Sequence, residues 1–308
     1  MGAVLAGVLL IAVVIWLLPS VPVRLFGAML VIIFGFFFAT VSSRMVGLVG
    51  SSNNPVSGMA IATLLIATAL LKGTGMTGYT GMVSAICVGT VICIVAAMAG
   101  DTSQDLKTGF IVGATPMWQQ IGELIGAVVA ALTIGGVMYL LHAAWGFGNS
   151  SQLPAPQATL MKLVVEGVMG GTLPWGLVFC GVFVAIVIEI LGLPVLPVSI
   201  GLYLPIHLSA PIFVGGMIRK LVESQKADTE EAAALKKDRV DRGLLYSSGM
   251  IAGEGLIGIL LAVLAVIPMR GGTVAQYIQL NFSLGNAGGI VFFIFLLLSF
   301  LGIVRKVR

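Results

Sequence analysis

The sequence has little charge. Only 9% of its 308 residues are Asp, Glu, Lys or Arg, against roughly 25% in a soluble domain. With 58% hydrophobic residues, a fold in water could not cover its surface with polar side chains. A bilayer removes that demand. Charge is also absent in blocks: none occurs over 25–43, 45–71, 73–100, 124–161, 167–188, 190–218 or 271–304. A spanning helix needs about 20 mostly apolar residues, so several windows suit one pass, and 124–161 must also contain a loop. Strict alternation of polarity, the mark of a membrane β-barrel, is missing from runs such as Val4 to Leu18.

Metal and catalytic chemistry are thin as well. There are two histidines, His142 and His207, and three cysteines, Cys87, Cys93 and Cys180, all in apolar runs without metal-ligand spacing. No Walker A, GxGxxG or HExxH pattern occurs. No catalytic residue, metal site or cofactor is expected, and no nucleic-acid partner. An intramembrane enzyme would need a nucleophile–base or ligand set that the sequence lacks. An ion channel would show a repeated pore motif. The triplets at 149–151 and 281–283 match the glycosylation pattern, but such triplets are common by chance.

What is present is glycine, 41 residues where average usage of about 7% would give roughly 22. Small residues let helices approach closely in lipid. The expected fold is all-α: a polytopic transmembrane helix bundle of about 8–10 spans in a single domain over 1–308. The spans are read at 3–18, 24–43, 57–72, 79–99, 116–143, 168–191, 206–222, 243–268 and 287–304. The uncharged start, with no basic n-region or cleavage site, reads as a mature span and would also suit a chain continuing upstream.

Two segments read as re-entrant or broken helices. Residues 51–58 are polar around Pro55, and 192–205 carry Pro194, Pro197 and Pro205. Proline interrupts helix hydrogen bonding, and irregular backbone at membrane depth is tolerated only where protein or water satisfies it. Both hold Pro-Val-Ser, at Pro55–Ser57 and Pro197–Ser199, a faint echo of an internal repeat. Basic residues concentrate in 219–242 and in the tail from Arg305, marking a solvated cytoplasmic loop with some helix across 228–240 and a cytoplasmic terminus. Met269 to Asn286 is then external, and 193–222 is read as a hairpin.

The segment Gly100–Pro116 joins two apolar runs and is rich in chemistry: Asp101, Asp105, Lys107, four hydroxyls and three glycines. Thr115-Pro116 reads as an N-cap followed by proline at the first helical position. Gln119, Gln120 and Glu123 then share a helix face. Two readings stand: a polar cavity for a polar or zwitterionic solute, or a polar loop at the membrane surface with Lys107 answering an aspartate. Ionisable groups inside lipid are costly and mark a pathway or an interior pair. That makes Glu123 and Glu254 the proton-coupling candidates, ahead of Glu189 and His207. Glu166 is read as structural, in an interfacial loop.

The stretch GDTSQDLKTGFIVGATPMWQQIG, Gly100 to Gly122, resembles the signature segment of the oligopeptide transporter family, which includes the yellow-stripe-like metal-chelate carriers. Asn54–Met59, Leu196–Pro205 and Ser247–Gly255 resemble the same family, in its order. The resemblance implies an integral, multi-pass secondary transporter, proton-driven, carrying small peptides or metal–chelator complexes; in a prokaryote it would sit in the inner membrane. By position it places Asn54, Asp101, Thr102, Gln104, Asp105, Lys107, Gln119, Gln120 and Glu254 along the path. Two departures stand out. Family members are about twice as long, and the likeness is to the C-terminal half. The chain would then act with a second copy, with a separate N-terminal half, or as an accessory half that does not transport. The family also often has basic residues after Ala-Thr-Pro, where this chain has Met117-Trp118.

Overall fold

The computed structural model describes residues 2–18, 22–49, 54–148, 153–224, 229–269, 271–279 and 285–305. Residues 51–53, Lys226, the triplets at 149–151 and 281–283 and the tail 306–308 lie outside them. The described residues form helices almost throughout: α1 (Gly2–Leu17), α2 (Leu25–Val49), α3 (Val56–Gly73), α4 (Gly78–Val112), α5 (Pro116–Ala144), α6 (Pro156–Gly170), α7 (Trp175–Ile190), α8 (Val195–Tyr203), α9 (Ile206–Glu223), α10 (Glu230–Val266), α11 (Val274–Ile278) and α12 (Gly285–Arg305). One two-residue hairpin, β1 (Pro268–Met269) with β2 (Gly272–Thr273), follows α10. Among the described residues, α2, α3, α4, α5, α10 and α12 are long and apolar enough to cross a membrane, and Ala6–Leu17 and α7 are shorter apolar helices. The protein is a multi-pass, all-α membrane protein.

The chain divides into two compact units, Met1–Ala131 with Ala155–Ile200, and Leu132–Pro154 with Gly201–Arg308. In the first, α2 and α4 run in the same direction. Gly27 lies on Val88, Gly35 on Ile92 and Gly47 on Ser103. Between them α3 returns the chain, its Leu64 filling the space over Gly89. Val23, Leu30, Val31, Ala67, Val88 and Ile92 form one core cluster, and Leu71, Met76, Ala85 and Met169 of α6 form another. The buried threonines of α3 bond within their own helix: Thr63 donates to the Met59 carbonyl and Thr68 to the Leu64 carbonyl. In the second unit, α10 packs on α9 and α12, with Gly243 against Phe300 and the Tyr246 hydroxyl 3.3 Å from that of Ser299.

Two expectations change and two hold in finer form. The polar stretch after residue 99 is not a loop: α4 continues to Val112 and ends on Gly113 in the left-handed conformation. The span drawn at 168–191 is two helices, α6 and α7, separated at Gly171–Pro174. Glu166 therefore sits in α6, paired with Lys162 at 3.8 Å. The segment 192–205 is a broken helix, as expected: it is interrupted at both ends and helical between, because Pro197 falls in the first turn of α8, where no backbone N–H is needed. The helix expected across 228–240 is present as the start of α10, Glu230–Arg242, and Arg219–Glu223 closes α9.

Lengths decide where polarity can sit. At 1.5 Å per residue, the apolar part of α4, 79–99, covers about 31 Å, which matches the ~30 Å hydrocarbon core. The following 13 residues reach about 20 Å further. The same division falls in α10, where 230–242 extends about 20 Å ahead of an apolar run of about 36 Å.

Candidate functional site

The polar third of α4 has two bonded faces. Ala96, Gly100, Ser103 and Lys107, spaced by four, three and four, face α2. The Ser42 hydroxyl donates to the Ala96 carbonyl at 2.5 Å. The Asn54 amide donates to the Ser42 oxygen at 2.7 Å and reaches the Ala96 carbonyl at 3.5 Å. Ser103 donates to the Ser43 carbonyl at 2.8 Å, and Lys107 to the Gly47 carbonyl at 2.6 Å. Gly47 lies in the last turn of α2, whose final carbonyls lack helical partners, so the ammonium caps that helix. Interhelical bonds of this kind average about 0.6 kcal/mol in lipid; the three that join α2 directly to α4, from Ser42, Ser103 and Lys107, contribute roughly 2 kcal/mol and fix the rotation of α4.

The second face meets α5. The Thr102 hydroxyl donates to Glu123 Oε1 at 2.6 Å, and the Gln119 amide donates to the Asp105 carbonyl at 3.0 Å. Gln119 lies flat on Gly109, where a Cβ would come within 2.0 Å of Oε1. Local sequence sets this up. Gly113 ends α4, and Thr115, whose carbonyl accepts from the amides of Trp118 and Gln119, starts α5 at Pro116 as the sequence predicts.

The sequence-selected residues therefore separate. Asn54, Thr102, Lys107, Gln119 and Glu123 sit at one end of the first unit in a web of separate hydrogen bonds: Asn54 to Ser42 and Ala96, Lys107 to Gly47, Thr102 to Glu123 and Gln119 to Asp105. Lys107 does not answer an aspartate but bonds the α2 carbonyl. Asp101 and Asp105, one helical turn apart, are exposed, as is Gln120, and Gln104 is half-buried. Two oxygens in the web, Asn54 Oδ1 and Gln119 Oε1, are buried without a bonding partner. Glu254 belongs to the second unit, where it lines a cavity between α9, α10 and α12. Glu189 is exposed in the last turn of α7, and His207 is exposed in the first turn of α9.

Sequence reasoning missed Ser42, Ser43 and Ser103 as partners and Gly100 and Gly109 as contact positions. The Ser-Ser pair just before Arg44, at the end of an apolar window, was the available signal. It also missed Lys72, which closes the 45–71 window and donates to the Val168 carbonyl at 2.9 Å. No group of three or more His, Cys, Asp or Glu is arranged to hold a metal ion among the described residues.

Comparison with known proteins agrees with the signature stretches. A Haemophilus influenzae oligopeptide transporter of inferred function is 33% identical over 307 residues, covering 86% of this chain and 47% of that protein. A Saccharomyces cerevisiae oligopeptide transporter, also of inferred function, is 23% identical, covering 84% of this chain and 36% of its own length. A metal-nicotianamine transporter of Arabidopsis thaliana, assigned on the same footing, is 29% identical over 60% of this chain and 27% of its own. The chain spans about half, or less, of the length of these curated relatives. No solved structure matches it. The family model for OPT oligopeptide transporter proteins matches residues 1–265, and the chain belongs to that family.

Proposed function

We propose that the chain is the working part of a proton-coupled secondary carrier for small peptides or metal–chelator complexes, and that 1–308 acts as one transporting domain. The observation that carries this reading is the polar third of α4. It continues as helix beyond one hydrocarbon thickness, is held by α2 and α5, and leaves Asp101 and Asp105 open on one side. Two carboxylates a turn apart suit the ammonium groups of a peptide or an amino-acid-like chelator. Gln120 adds an amide that both donates and accepts. A metal ion would travel as cargo inside its chelator. The names of the relatives, oligopeptide and metal-nicotianamine transporters, support the same solute class.

The coupling step rests on the Thr102–Glu123 bond. A hydroxyl donating to an ionised carboxylate makes a bond roughly twice as strong as one between neutral groups. Protonation of Glu123 therefore loosens the link between α4 and α5, and deprotonation restores it. Glu254 is the second proton-bearing candidate. The broken segments near 54–56 and 192–205 supply the pliable joints that alternating access requires.

The test is uptake into liposomes under an acid-outside gradient, with labelled small peptides and iron–chelate complexes offered together. Accumulation abolished by a protonophore is expected. Asp101→Asn with Asp105→Asn should remove uptake while leaving the helix content unchanged. If pH-driven uptake survives Glu123→Gln combined with Glu254→Gln, the coupling assignment is wrong.

A second reading is favoured by length, since the chain covers 47% of its Haemophilus influenzae relative. Here the chain is an accessory half needing a partner. An inserted, helical protein that accumulates nothing alone, but does so with the complementary half of that relative, would establish it.

A further inference from the structure

The second unit holds a cavity of about 650 Å³ between α9, α10 and α12, within the 300–1,000 Å³ range typical of ligand sites. Its shaft is apolar, walled by Leu244, Ile251, Phe293, Leu297 and Phe300. Its charge sits at the two ends. Arg219 and Arg239 line it where α9 ends and α10 begins, next to Val304 near the end of α12. Glu254 lines it 15 positions further along α10, about 22 Å away by helix rise.

The geometry points to a binding site for one anionic phospholipid, its phosphate on Arg219 and Arg239 and an acyl tail in the shaft. Three features select this occupant. Two of the cavity's three walls, α10 and α12, are long and apolar enough to cross a membrane, so lipid tails are the abundant apolar ligand. The basic end coincides with the boundary in α10 between its charged first 13 residues and its apolar run, which is headgroup depth. Basic pockets between spanning helices at that depth take anionic headgroups. Size agrees too: one leaflet of a ~30 Å core is about 15 Å deep, so a tail entering at the arginines ends short of Glu254. Glu223 engages Arg219 through Nε at 2.9 Å, one of the five N–H donors of a guanidinium, and Asp238 engages Arg242 at 3.2 Å.

The experiment places a tryptophan in the shaft as Phe300→Trp, with the four native tryptophans replaced by Phe. The protein is reconstituted in phosphatidylcholine vesicles carrying a small fraction of lipid brominated on its tails, either phosphatidylglycerol or phosphatidylcholine. Quenching at roughly tenfold lower mole fraction by the glycerol lipid is expected from two guanidiniums facing one phosphate. Arg219→Gln with Arg239→Gln should bring the two lipids level. Equal quenching by both lipids in the parent protein would reduce the site to ordinary boundary lipid and overturn the proposal. Absence of quenching by either would mean that protein fills the shaft, and would overturn it as well. The parent measurement decides without the arginine variants, should those fold poorly.

Discussion

At the scale of single residues, the polar end of α4 rests on two glycines whose substitution should have unequal consequences. A Cβ at Gly109 meets only the end of the Gln119 side chain. That amide can swing away at the cost of one neutral interhelical bond, about 0.6 kcal/mol. Replacing an interior helical glycine by alanine returns about 1 kcal/mol of helix propensity. Gly109→Ala should therefore be close to neutral. At Gly100 a Cβ lies 2.5 Å from Asn54 Nδ2 and 3.0 Å from both Ser42 Oγ and Val46 Cγ2. Two of these atoms already bond each other, and Ser42 and Val46 are fully buried, so nothing yields easily. Overpacking of this kind costs about 1–3 kcal/mol, on top of the lost Asn54 bond. Gly100→Ala should be destabilising by about 1–2 kcal/mol net, read as a lower midpoint in SDS titration of the micellar protein. Equal midpoints for the two variants would mean that Asn54 does not occupy this seat.

At the scale of elements, lysines close helices that are not their own. Lys107 caps α2, and Lys72, at the end of α3, donates to Val168 in the last turn of α6. Lys72→Met keeps the apolar stem but leaves that carbonyl without its charged donor, a loss of about 1.5 kcal/mol. The expected readout is a lower unfolding midpoint and faster amide exchange over 165–172. For Lys107→Met, at an exposed position, the same direction but a smaller effect is expected. Neither role could be read along the chain, since the partners lie 96 and 60 positions away. The same distance explains the largest misreading. Gly, Asp, Thr and Ser are poor helix formers, so 100–112 looked like a connection. It is helical because Ser43, Gly47 and Glu123 occupy the side chains of Ser103, Lys107 and Thr102. The apolar windows, by contrast, were legible directly, as was Pro116 at the start of α5. The break at Gly171–Pro174 was missed because Lys162 and Glu166 disguised α6 as loop; their i, i+4 spacing is what one helical face requires.

At the scale of the whole molecule, the two units differ in how much they bury. The first interlocks α2, α3, α4 and α6 through side chains with no exposure, among them Leu71, Val88 and Ile92. In the second, burial among the described residues is sparse: Ile218 on α9, Gly243 and Ala262 on α10, Gly288 and Val304 on α12. Regions with few buried contacts open first, and a protein of two units need not lose structure in one step. The cysteines make this measurable. Cys87 and Cys93 report the first unit from within α4, and Cys180 is exposed. Ser299→Cys in a Cys180→Ser background adds a half-buried reporter on α12, beside Tyr246. As the SDS fraction rises, the thiol at position 299 should become reactive before Cys87 and Cys93. Simultaneous labelling of all three would instead mean that the two units stabilise each other as one cooperative body. If the chain works as proposed, by moving one rigid group of helices against a more pliable one, the first outcome follows, because the bonds beside Asp101 and Asp105 would have to survive while the helices around Glu254 rearrange.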